Sequence, residues 1–92
     1  SALERAEFDD QGLPVSWELQ VATFSTAQRA EEIARELRNK GHKAYVSTVT
    51  IGGKKLFRVR IGPKMQKQRL RDLQTDIDAY YGVESSIVRF GV

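Results

Sequence analysis

An α+β domain of element order β-α-β-β-α-β is what this sequence predicts, and three observations predict it. Stretches with an apolar period of two alternate with two stretches of helical period; a bare Gly52-Gly53 joins the two middle strands; and each helical stretch runs into a glycine, so that one strand-helix-strand unit is read twice. The order matches the split β-α-β, ferredoxin-like arrangement: a four-stranded antiparallel sheet with two helices on one face.

Residues 1–16 end in Gly12-Leu13-Pro14, a break that reads as an N-terminal arm or linker offering Leu3 and Phe8 for packing, ahead of a domain over 17–92. From Trp17, the residues Trp17, Leu19, Val21 and Thr23 alternate with Glu18, Gln20, Ala22 and Phe24, giving a strand with its first set on the core. Ser25 with Gln28 three residues on forms a capping box, and Ala30, Ile33, Ala34 and Leu37 then mark one helical face up to Gly41. Ala44–Ile51 and Lys54–Ile61 are strands, the second putting Phe57, Val59 and Ile61 on one side and Leu56, Arg58 and Arg60 on the other, with Gly62-Pro63 closing it. A second helix over about 64–81 presents Leu70, Leu73, Ile77 and Tyr80 or Tyr81, Gly82 ends it, and Ser86–Phe90 supplies the last strand. Each crossover skips one position, so the strands at 17–24 and 54–61 are central. Gln20 and Arg58 are then neighbours on the uncovered face, unless the register slips by one.

The chain has 92 residues, no cysteine, 40% hydrophobic and 29% charged residues, the balance of one small folded domain without a disulfide framework or thiolate metal site. Its apolar runs are too short to span a membrane. It starts at Ser1 without a charged-then-apolar leader and is expected to be a piece of something longer, with any membrane anchor or signal outside it. The arm has a net charge of −3, whereas eight bases and no acid lie between Lys54 and Arg71, so one edge of the domain attracts anions.

Catalysis, cofactor and metal chemistry find no footing. The single histidine, His42, follows a helix end without ligating or catalytic partners. Asp9-Asp10 belongs to the arm, and Asp72, Asp76 and Asp78 fall on the polar side of a helix, where carboxylates are solvated or paired along the helix. Gly52-Gly53 is followed by a strand and is therefore a hairpin turn rather than a phosphate loop. What remains is a binding surface. The uncovered sheet face is expected to collect Gln20, Ala22 and Phe24 with Leu56, Arg58 and Arg60, and Tyr45 and Ser47 where Ala44 and Val46 turn inward. Such an amide, guanidinium and aromatic platform suits bases of single-stranded RNA or the faces of sugar rings.

At these residues the sequence resembles a known family. Gln20-Val21-Ala22-Thr23-Phe24-Ser25, Ala30, Leu37 and Gly41, and then Leu56-Phe57-Arg58-Val59-Arg60-Ile61-Gly62-Pro63, are similar to the two signature blocks of the SPOR (sporulation-related repeat) domain. The family pattern is roughly V-Q-x-G-x-F-S, a helix ending in K-G, and a hairpin into F/Y-R-V-x-x-G-P; the match covers residues 17–90. Ala22 stands where the family usually has glycine, which is expected to crowd the platform, and the second helix lacks the family's common alanines. The resemblance implies a non-catalytic, bacterial envelope module that binds peptidoglycan glycan strands stripped of their stem peptides, as they occur at the division septum in the periplasm. By position it implies Gln20, Thr23 and Arg58 as glycan contacts; Phe24, Tyr45, Ser47 and Arg60 are added by the face argument alone. A monomer is expected, with micromolar affinity, about −8 kcal/mol.

Two other readings share this topology. An RNA-recognition strand should read close to K/R-G-F/Y-G/A-F-V-x-F/Y, and Lys55-Leu56-Phe57-Arg58-Val59-Arg60-Ile61 lacks both the glycine and the final aromatic, so nucleic acid is not the expected partner. A protein-interaction domain would use the open face or an edge strand.

Overall fold

The computed structural model describes residues 5–91; Leu3 lies outside them. The arm is more than a linker: β1 (Glu7–Phe8) and β2 (Pro14–Val15) pair antiparallel as a small hairpin. Its turn is held by Asp9, whose carboxylate accepts from the backbone N–H of Gln11 and Leu13, both at 2.9 Å. Val15 is buried and Phe8 is exposed, so the expected packing of Phe8 does not occur. Beyond the hairpin run β3 (Trp17–Phe24), α1 (Ala27–Asn39), β4 (Ala44–Ile51), β5 (Lys54–Lys64), α2 (Lys67–Tyr81) and β6 (Ser86–Arg89).

The four long strands form one antiparallel sheet in the order β4-β5-β3-β6, with β5 and β3 central as the crossovers require. Leu19, Val21, Val59 and Ile61 from the central strands meet Ala30, Ile33, Ala34 and Leu37 of α1 and Leu70 and Ile77 of α2 in a single core. Alanine at two of the four inward positions of α1 lets that helix approach the sheet closely. Of the residues expected on the stripe of α2, Leu73 and Tyr81 pack at the margin of the core and Tyr80 is left exposed. The Tyr81 hydroxyl donates to Glu36 on α1 at 3.1 Å; burial, reinforced by that carboxylate, pushes its ionisation up to about 12.

Two boundaries and one register differ from the sequence reading. The cap of α1 is Thr26 rather than Ser25: its hydroxyl accepts from Arg29 N–H at 3.3 Å, one residue later than the capping box put it. Next, β5 does not close at Gly62-Pro63 but runs through to Lys64, which postpones the start of α2 to Lys67. This continuation is allowed by Gly62, at φ +134°, where a Cβ would sit 3.1 Å from the Trp17 carbonyl oxygen and 3.3 Å from Cγ of Glu18. Gly62→Ala is therefore expected to destabilise the domain by about 1–3 kcal/mol, read from urea unfolding.

The third difference has the largest consequence. Leu19 pairs with Ile61 and Gln20 with Arg60, but Ala22 pairs with Val59, Thr23 with Arg58 and Phe24 with Phe57. One extra residue on β3 between Gln20 and Ala22 is a β-bulge, and it shifts every later side chain to the other face.

Candidate functional site

Four residues of the uncovered face come from regular alternation. Arg58 and Arg60 of β5 lie across from Ser47 and Tyr45 of β4, while Ala44 is buried and Val46 packs on the core, as expected. The bulge decides the rest. Before it, Gln20 faces outward; after it, Thr23 faces outward opposite Arg58, and Ala22 and Phe24 turn to the helix side, where both pack against the core. Phe24 is thus not part of the platform, and Ala22 does not crowd it. The register also corrects the expected neighbours, since Gln20 sits beside Arg60 and Arg58 beside Thr23.

The face is therefore built as two rungs crossing the strands. The first is Ser47–Arg58–Thr23, on β4, β5 and β3; the second is Tyr45–Arg60–Gln20–Ser86 and reaches β6. Two residues along a strand separate the rungs, roughly 7 Å.

The rungs differ electrostatically. In the second, Arg60 donates from Nε and Nη2 to Oε1 of Gln20 at 3.0 and 2.8 Å. Arg60 also places Nη1 3.6 Å from a carboxylate oxygen of Glu18, and the Tyr45 hydroxyl donates to that carboxylate at 2.7 Å. Glu18 is 0% exposed. Desolvation, then the Glu18 carboxylate it donates to, raises the Tyr45 ionisation above its ordinary value. Because a guanidinium has only donors, the Gln20 amide must turn its oxygen to Arg60, which leaves its NH2 as the group available to a ligand. The first rung has no such network. Arg58 has no ion-pair partner among the described residues; its Nε and the Ser47 hydroxyl are both out of water and both lack a hydrogen-bond partner. Thr23 beside them is exposed.

Comparison with known proteins identifies the family and the fold. The family described as SPOR domain matches residues 13–89. The chain belongs to that family. Its fold is shared with the crystal structure of the RlpA SPOR domain from Pseudomonas aeruginosa, at 26% identity and TM-score 0.70 over 79% of this chain and 97% of that one. The solution structure of the peptidoglycan binding domain of the B. subtilis cell wall lytic enzyme CwlC gives 20% identity and TM-score 0.59, covering 82% and 89%. The Spor protein DedD gives 22% and 0.57, covering 90% of this chain and 43% of that one. None of the curated proteins compared matches the chain.

Within this SPOR domain, the sequence reading missed Glu18. Its alternation already put it on the same face as Gln20, and a lone acid among the cations of that face was the available signal. Nothing in the sequence indicated that it would be wholly covered, because that depends on Gly62 letting β5 pass close to it. A cleft of about 500 Å³ lies elsewhere, between the hairpin, Trp17 and Arg89, lined by Glu7, Asp9 and Asp10 and thus of the wrong sign for a polyanion.

Proposed function

We propose that this SPOR domain is a non-catalytic peptidoglycan-binding module that takes glycan strands freed of their stem peptides, and so gathers where such strands accumulate, at the division septum of a bacterial envelope. The observation that carries the reading is Arg58 on the uncovered sheet face, without an ion-pair partner among the described residues, with the orphaned Ser47 hydroxyl beside it. The peptidoglycan binding domain of CwlC, similar in fold, supports the ligand class.

Removing a stem peptide frees the lactyl carboxylate of each muramic acid. A carboxylate accepts charge-assisted hydrogen bonds from a guanidinium, whereas the amide of an intact strand offers no charge. Arg58 supplies the cation, Ser47 and Thr23 hydroxyls reach the sugar, and the Gln20 NH2 takes an acetamido carbonyl. A stem peptide on the muramic acid would stand between the strand and the sheet face, which adds exclusion to attraction.

Sedimentation with purified sacculi tests this. The domain should pellet with sacculi treated with amidase to remove stem peptides and remain largely in the supernatant with untreated ones. Equal pelleting in both would sink the denuded-strand reading, and no pelleting in either would sink peptidoglycan as the ligand.

A further inference from the structure

Arg58 and Arg60 of the open face differ in one respect that the sequence does not reveal: among the described residues, only Arg60 has a carboxylate beside it. Glu18, on β3, is 0% exposed, with a carboxylate oxygen 3.6 Å from Arg60 and accepting from the Tyr45 hydroxyl. A carboxylate wholly removed from water persists only beside compensating groups, so this one was not placed for solubility. We infer that Glu18 is a specificity-determining residue of the glycan site, which neutralises Arg60 and thereby leaves Arg58 as the guanidinium of the two rungs that has no ion-pair partner among the described residues. The inference rests on the proposed peptidoglycan reading and adds to it what the face refuses.

The physical argument concerns charge spacing. Denuded glycan has one carboxylate per disaccharide, separated by neutral sugar; a single-stranded nucleic acid has one phosphate at every nucleotide. With both arginines free, two guanidinium groups roughly 7 Å apart would suit a closely charged chain, and single-stranded RNA is the ligand that this topology and platform otherwise fit. With Arg60 paired to Glu18 and both its Nε and Nη2 committed to Gln20, the second rung is neutral overall and offers the Gln20 NH2 instead of a cation. Glu18 thus selects twice: it cancels a charge that would attract phosphates, and through Arg60 it orients an amide donor toward a neutral acceptor. It touches no ligand itself and acts by positioning.

The test is Glu18→Gln, which keeps the shape and the Tyr45 contact but frees one positive charge. Binding of a short oligouridylate, followed by fluorescence anisotropy, should tighten at least about tenfold over the original chain, with the salt dependence of log K steeper by about 0.7, one extra phosphate contact on a single strand. The double variant Glu18→Gln/Arg60→Gln should return to the original weak binding. No gain in the single variant, or a gain that survives in the double variant, overturns the inference. Should Glu18→Gln fail to fold, the unaltered domain decides: on titration with denuded glycan the Nε–H resonance of Arg58 should move and that of Arg60 should stay, and equal movement of both overturns the inference. The failures are separable. Absence of glycan binding by the unaltered domain sinks the proposed function, whereas absence of the oligouridylate gain sinks only the role of Glu18.

Discussion

Replacing Arg58 with alanine should lower affinity for denuded glycan by about 10- to 100-fold, the usual cost of a hydrogen bond to a charged group at roughly 1.5–3 kcal/mol. Calorimetric titration with a denuded oligosaccharide measures it. The same change should leave folding stability within about 1 kcal/mol, because Arg58 has no ion pair to lose among the described residues and its Nε makes no hydrogen bond. Its Nε is a donor held out of water with nothing to donate to, an arrangement that costs stability in the free domain, and alanine removes that cost along with the stem's packing. The pairing of outcomes is what matters: weak binding with an intact thermal transition assigns Arg58 to the ligand. If the variant unfolds, Arg58 is structural and the site lies elsewhere.

Leu37→Ala should do the reverse. Leu37 is 1% exposed at the last turn of α1, among the largest fully buried side chains, in the core shared by α1, the sheet and α2. Truncation leaves a cavity that the rigid sheet beneath cannot collapse into, and comparable leucines lose about 2–5 kcal/mol. For a domain of this size, that is a fall in melting temperature of about 10–30 °C, and a large fraction of a total stability of about 5–15 kcal/mol. The backbone anchors at this position, the N–H groups of Lys40 and His42 donating to the Leu37 carbonyl at 3.1 and 3.0 Å, do not depend on the side chain. The helix should therefore still end at Gly41, and the loss should come from packing alone. At temperatures where the variant is folded, glycan affinity should match that of the unaltered domain.

The fold was legible because its signals are local and redundant. Gly52-Gly53 allows only a tight hairpin, the apolar positions of α1 fall on one stripe, and Gly41 and Gly82 mark the ends of both helices. Two repeated units joined by a hairpin then leave few topologies. The site was legible only in part. Arg58, Arg60, Tyr45 and Ser47 follow from uninterrupted alternation and lie where it puts them. On β3 alternation fails after Gln20, because an inserted residue is invisible to a period-two pattern. The contradiction was nevertheless present in the residues: unbroken alternation exposes Phe24 and buries Thr23, the opposite of their hydrophobicity. Thr23 reached the expected site through its place in the family motif rather than through geometry. Glu18 stayed hidden because its burial comes from the close passage of a strand distant in sequence, which no local pattern encodes.

The extra residue at Val21-Ala22 is absorbed by the bulge, so that both halves of one strand keep step with β5. Deleting either residue would even out the ladder from Gln20 onward and, by that alternation, leave Thr23 outward opposite Arg58 and Phe24 among the helices. Only a strand that kept both residues and lost the bulge would carry Phe24 out to the solvent and Thr23 inward. A one-residue gap at this place therefore spares the chemistry of that corner, and relatives that align here with one should be expected to read the same ligand.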